Sequence, residues 1–167
     1  RTDQQVRVMF GHADWISGVD YSADGTRLGS AGKDRLAIIW DASSGQELMR
    51  LRGHDQWVNS IRFSPDGQLV ATASDDRTVR LWSLENGRQL LKIPASSEVV
   101  AIGFSPDAEV LAVGDGSEVK LYPMDFSSLD ADPRGLLEDA QRAAGMRLDG
   151  FQLVVDSSRA EVRTGSR

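Results

Sequence analysis

The chain has 167 residues, 40% hydrophobic and 26% charged, with a net charge of −6, which suits one ordinary domain or one domain with a short appendage. The acidic balance argues against nucleic acid as the main partner, since phosphate contacts need clustered Lys and Arg, and weighs against an anionic membrane surface. The absence of Cys excludes disulfides, thiolate catalysis and Cys-ligated zinc; no apolar run approaches the roughly 18–20 residues of a membrane span, and no secretory pattern stands at the start.

In chain order, an apolar alternation at QQVRVMF (Gln4 to Phe10) runs into Gly11-His12. A strand-like run then reaches YSADG (Tyr21 to Gly25), whose Asp-Gly reverses the chain. RLAIIWD (Arg35 to Asp41) follows. The same marks then return: Gly53-His54 stands 42 residues after Gly11-His12, and FSPDG (Phe63 to Gly67) stands 42 after YSADG. FSPDA (Phe104 to Ala108) follows 41 residues later. Trp40 is answered by Trp82 and then by Tyr122, at spacings of 42 and 40. A period in this range marks a repeat architecture. Each unit reads as four short strands separated by polar turns, with β-branched and aromatic residues at the strand positions. GDGSE (Gly114 to Glu118) is Gly-rich but lacks the Lys and helix of a phosphate loop, so it reads as a turn.

After Asp125 the repeat stops. Asp132 suits an N-cap and Pro133 the first helical position; Leu136, Leu137, Ala140, Ala143 and Ala144 share a face, and Gly145 suits a C-cap. FQLVV (Phe151 to Val155) reads as a strand, and residues 157–167 as disordered. The expected organisation is repeats over 1–126, a helix-strand appendage over 127–156, and a tail.

The period, Gly-His, Ser-Pro-Asp-Gly and Trp40-Asp41 resemble the WD-repeat family of β-propellers over about residues 5 to 126. The third unit departs from the pattern: it lacks Gly-His, and Tyr122-Pro123 stands where Trp-Asp would. The resemblance implies an all-β fold of about three four-stranded blades, an incomplete circle, followed by the helix and strand. A propeller needs at least four blades. Gln4 to Phe10 therefore reads as the outer strand of a preceding blade. The remaining blades are expected upstream or in another chain, or the array closes on a copy of itself. Gln152 and its neighbours are expected to give the last blade its fourth strand, with docking of a partner as the other use of the tail.

The same resemblance implies a buried hydrogen-bonded brace in each blade: His54, Ser74, Asp76 and Trp82 in the second unit, and His12, Asp34 and Trp40 in the first. The rival reading is a Ser-His-Asp triad, but enzymes rarely carry one triad twice, and Gly32 stands where Ser74 does. In the third unit Gly114 and Gly116 occupy the places of Ser74 and Asp76, so no brace is expected there. No His pair has metal-ligand spacing. Neither metal nor cofactor is expected.

One rim of such a propeller holds peptides or protein domains, which makes these residues a non-catalytic scaffold. The positions implied are Trp15, Ser17 and Lys33, then Trp57, Asn59 and Asp75, then Glu98, Val100 and Asp115. The two Trp are candidate anchors, or else half-buried covers of a strand edge; the three charged turn residues could simply be solvated. The tail also looks like those that follow WD repeats in large bacterial multi-domain proteins. An alternative is thus the regulatory, sensing end of a cytoplasmic signalling or defence enzyme (an NTPase, kinase or protease) with its catalytic domain upstream of Arg1.

Overall fold

The computed structural model describes residues 6–124 and two further strands, 146–149 and 152–155. The described part is all-β. The first sheet runs β1 (Ile16–Tyr21), β2 (Arg27–Gly32), β3 (Leu36–Asp41) and β4 (Glu47–Arg52), in that spatial order. The second repeats it with β5 (Val58–Phe63), β6 (Leu69–Ser74), β7 (Thr78–Ser83) and β8 (Gln89–Pro94). The third has β9 (Val99–Phe104), β10 (Val110–Asp115) and β11 (Glu118–Pro123). All neighbours are antiparallel, as short meandering connections require. These are three propeller blades side by side.

The turns between first and second strands show why the Ser-x-Asp-Gly pattern recurs. The Ser22 hydroxyl donates to Asp24 Oδ1 at 2.6 Å, and the Thr26 N–H donates to the same oxygen at 3.0 Å. The Ser22 hydroxyl, with the Thr26 donors, holds the Asp24 carboxyl down to about 2. Ser64–Asp66 and Ser105–Asp107 repeat the bond at 2.5 Å. Gly25 and Gly67 then take φ of +70° and +71°, and Ala108 is held at +62°, where a side chain is strained.

The blades pack through two apolar layers. The first joins Ala31, Ala37, Ile39 and Leu51 to Val58, Ile61, Phe63 and Val70. The second joins Ala71, Ala73, Val79, Leu81 and Ile93 to Val99, Ile102, Leu111 and Val113. Each layer uses the alternate residues of its strands, as a two-sided buried sheet requires.

Two expectations change. Residues 6–10 are not paired into any sheet among the described residues, although they run beside the β3–β4 turn. The third blade has three strands there, and Gln152–Val155 (β13) pairs instead with Met146–Asp149 (β12) as a separate hairpin. The β12–β13 register brings Asp149 opposite Gln152, a close two-residue connection that competes with pairing to the blade. The helix expected from Asp132 to Gly145 and the tail 157–167 lie outside the described residues.

Candidate functional site

The His of each Gly-His ties the second, third and preceding elements together. In the second blade His54 Nδ1 donates to Asp76 Oδ2 at 2.8 Å, and Nε2 lies 2.7 Å from Thr72 Oγ1. Trp82 Nε1 donates to that same Thr72 oxygen at 2.8 Å. The first blade repeats the set: His12 Nδ1 to Asp34 at 2.9 Å, His12 Nε2 to Ser30 Oγ at 2.8 Å, and Trp40 Nε1 to Ser30 Oγ at 2.8 Å. Gly precedes the His because a side chain there would collide: a Cβ on Gly11 would stand 2.5 Å from Trp40 Cη2, and one on Gly53 2.5 Å from Arg80 Nη1.

Ser74 is therefore not the brace hydroxyl. Its oxygen accepts the Asp76 N–H at 3.0 Å and shapes the turn, while Thr72, two residues earlier on the same face, takes the role. The brace does have the connectivity of a nucleophile-His-Asp triad, with Ser30 or Thr72 as the hydroxyl. Yet both hydroxyls are buried, and a Trp N–H already occupies each oxygen. A nucleophile must reach its substrate, and these two are sealed inside the blades.

The neutral imidazole completes this network. Trp82 N–H donates to Thr72, the Thr72 hydroxyl can donate to His54 Nε2, and His54 Nδ1–H donates to Asp76, so every buried donor has an acceptor. Burial holds the His54 pKa below its ordinary value, against the pull of Asp76. Burial pushes the Asp76 carboxyl the other way but is outweighed by donors from His54, Thr78 and the Asp55 N–H, which hold it well below the usual range. Below about pH 6.5 the unfolded chain binds a proton at His54 that the folded blade resists, so stability falls as pH drops. A second loss follows below about pH 4, where Asp76 is protonated more readily in the unfolded chain. The melting temperature should accordingly be lower at pH 5.5 than at pH 7.5, with a smaller step in His54→Gln. A flat profile between those two pH values would contradict the neutral brace.

The third blade has no His, but it does have a polar network. Asp115 is buried, not on the exposed rim as expected. It accepts the N–H groups of Ser96 and Ser97 at 3.0 and 2.9 Å, the Ser97 hydroxyl at 2.9 Å, and the Lys120 ammonium. Burial raises the Asp115 carboxyl pKa, but Lys120 and these donors outweigh it and hold it well below the usual range. Asp115 thus fastens the segment before β9, as Asp34 and Asp76 fasten Ala13 and Asp55.

At the rim the structure brings Trp15, Lys33 and Trp57 together. Lys33 Nζ lies 5.4 Å from the Trp15 ring centre and 4.2 Å from that of Trp57, so one cation bridges two aromatic faces. Trp15 is 76% exposed and Trp57 45%. Backbone bonds fix both: Lys33 N–H donates to Trp15 O at 2.8 Å, and Asp75 N–H to Trp57 O at 3.0 Å. Ser17 and Asn59 do something else. They sit where each first strand bulges, and a bulge re-aims a side chain. Ser17 Oγ donates to Val58 O of the next blade, and Asn59 Nδ2 donates to Val99 O at 3.0 Å and to Asp75 at 2.5 Å. They are stitches between blades. Glu98 and Val100 are exposed. Beside Trp57 an open groove runs between the second and third blades, lined by Asp55, Gln56, Asp75, Arg77, Ser97 and Glu98.

Residues 3–41 and 45–83 each match the family WD domain, G-beta repeat. These segments contain both complete braces and the Trp15–Lys33–Trp57 cluster. WD repeats generally mediate protein–protein interaction, and domains built from them are generally non-catalytic.

Proposed function

We propose that these blades, the first two of which match the WD domain, G-beta repeat, hold a protein or peptide on the rim formed by Trp15, Lys33 and Trp57. The observation that carries this reading is the pair of exposed indoles bridged by Lys33. Aromatic anchors on a rigid frame lose little conformational entropy on binding and dominate interface energetics. The adjoining groove presents Asp55, Asp75 and Glu98 against one cation, Arg77. The complementary ligand is a segment with an apolar or aromatic side chain for the indoles and a basic one for the groove. Binding needs no chemistry from the blades; the braces keep the rim rigid.

The test is Trp57→Ala, assayed with a peptide selected on the wild-type chain from a library of Arg- and Lys-containing sequences. We expect affinity to fall at least about 30-fold, the range of an interface hot spot, with the melting temperature nearly unchanged. Unchanged binding with a large drop in melting temperature would place Trp57 in the core instead.

A further inference from the structure

Lys33 and Asp75 occupy the same rim position in consecutive blades. They stand 42 residues apart. Each donates its N–H to the carbonyl of its own blade's rim Trp, Lys33 to Trp15 at 2.8 Å and Asp75 to Trp57 at 3.0 Å. The repeat therefore sets opposite charges at equivalent places, and they fall on the two sides of Trp57. Lys33 comes from the first blade, with its Nζ 4.2 Å from the Trp57 ring centre. Asp75 lines the groove between the second and third blades, with Asp55 and Glu98.

Both charges are held in place. The Trp15 and Trp57 rings keep the Lys33 ammonium between them. Among the described residues, that ammonium has no carboxylate within ion-pair reach. Asp75 Oδ1 accepts from Asn59 Nδ2 at 2.5 Å, and the same nitrogen donates to Val99 O of the third blade at 3.0 Å. Among the described residues only Oδ1 of that carboxylate accepts a hydrogen bond.

Ordering is what usually cancels a surface ion pair: two flexible side chains lose their freedom for a modest Coulomb gain. Here the protein's half of that cost is met before a ligand arrives. Lys33 is a fixed cation and Asp75 a fixed anion, with the exposed Trp57 indole between them. A ligand with basic residues alone meets Lys33 on one side of the indole. A ligand with acidic residues alone meets Asp55, Asp75 and Glu98 on the other. Each is rejected by like charge at one end.

We propose that the peptide held on this rim carries an acidic and a basic side chain on opposite sides of the residue that rests on Trp57, its Asp or Glu pairing with Lys33 and its Arg or Lys with Asp75. This requires the Trp15–Lys33–Trp57 rim to be the binding face, and it adds an acidic group to the ligand and fixes the order of the charges. Asp75 keeps one oxygen on Asn59 and offers the other to the ligand's ammonium or guanidinium. Lys33 is then a specificity-determining residue rather than an anchor. Charge pairs at a rim choose among partners and steer encounter more than they add affinity.

The test uses the 167-residue chain and a displayed peptide library randomised over every amino-acid type. Peptides selected on the wild type should carry Asp or Glu and Arg or Lys on either side of an apolar residue. Selection on Lys33→Glu should lose the acid and keep the base. For one selected peptide, replacing its acid by the matching amide should weaken binding to the wild type about threefold to fivefold, the range of one well-ordered exposed pair. The same replacement should weaken binding to Lys33→Gln no further. Replacing its base by Gln should couple in the same way to Asp75→Asn, which keeps the oxygen that Asn59 needs, and not to Lys33→Gln. Titration calorimetry at one salt concentration gives both cycles. Peptides that bind through Trp57 with bases alone, an acid that does not couple to Lys33, or a base that does not couple to Asp75 would each overturn the charge order and leave the rim as the binding face. Selected peptides indifferent to Trp57→Ala would overturn both.

Discussion

Thr72→Val should lower the unfolding free energy by about 2–3 kcal/mol, whereas Ser74→Ala should cost about 1 kcal/mol or less. Val has nearly the shape of Thr, so the first change opens no cavity and its cost is polar. It strips the Trp82 N–H of its acceptor and His54 Nε2 of its partner, both buried in the blade. Each unmade buried bond costs about 1–3 kcal/mol, and some relaxation keeps the pair below the upper sum. Ser74 contributes one good bond, from the Asp76 N–H at 3.0 Å, and a long one to Gln56 O at 3.4 Å. Thr72→Ser should recover most of the loss, since the first blade uses Ser30 in the same place. Urea denaturation of the three variants checks the order. A cost for Ser74→Ala equal to or above that of Thr72→Val would return Ser74 to the brace.

The period and the turns were legible in the sequence itself, and the His, Asp and Trp of the first two braces were legible through the family resemblance that those marks carry. The hydroxyl was misplaced because strand alternation puts residues 72 and 74 on one face, and residue type does not separate them. A signal existed: Ser30 stands 42 residues before Thr72, while Gly32 stands 42 before Ser74, so the hydroxyl recurs only at the earlier position. Asp115 was misread for a related reason. The third blade's turn between second and third strands is shorter, with Asp115 directly opposite Glu118, which moves the carboxylate inward by one position. Lys120, at the place of Arg80, was the available clue that a buried acid stood nearby. Ser17 and Asn59 could not be assigned from alternation, because the bulge that turns them towards the next blade is a departure from alternation. The pairing of Gln152–Val155 was a choice between two free edges, which strand propensity alone does not decide.

Asp76→Ala should be the most damaging of the Asp-to-Ala changes in the three blade networks, at about 3–5 kcal/mol, a large share of the roughly 5–15 kcal/mol that holds a domain together. Asp76 accepts from His54 at 2.8 Å, the Asp55 N–H at 3.1 Å and Thr78 Oγ1 at 2.6 Å, and it faces Arg80 at 3.4 Å. Arg80 is buried, and its other acceptors are neutral, Gln89 Oε1 at 2.8 Å and Thr78 Oγ1 at 3.5 Å; the Asp55 carboxylate is 4.0 Å away and largely solvated. Removing Asp76 therefore leaves a cation in the blade without its counter-charge, which costs more than the hydrogen bonds alone. The same change in the first blade should be milder, because Ile38 stands where Arg80 does and Asp34 has no buried cation to neutralise. Asp115→Ala should also be milder, because the Lys120 side chain is 38% exposed and its ammonium can turn to water. The decisive variant is Asp76→Ala with Arg80→Leu. If the stranded charge dominates, the double variant is more stable than Asp76→Ala alone, and the coupling exceeds about 1 kcal/mol in a double-mutant cycle. If Asp34→Ala and Asp76→Ala cost the same and Arg80→Leu rescues nothing, Arg80 finds water when its partner goes, and the hydrogen bonds to His54, Asp55 and Thr78 carry the blade by themselves.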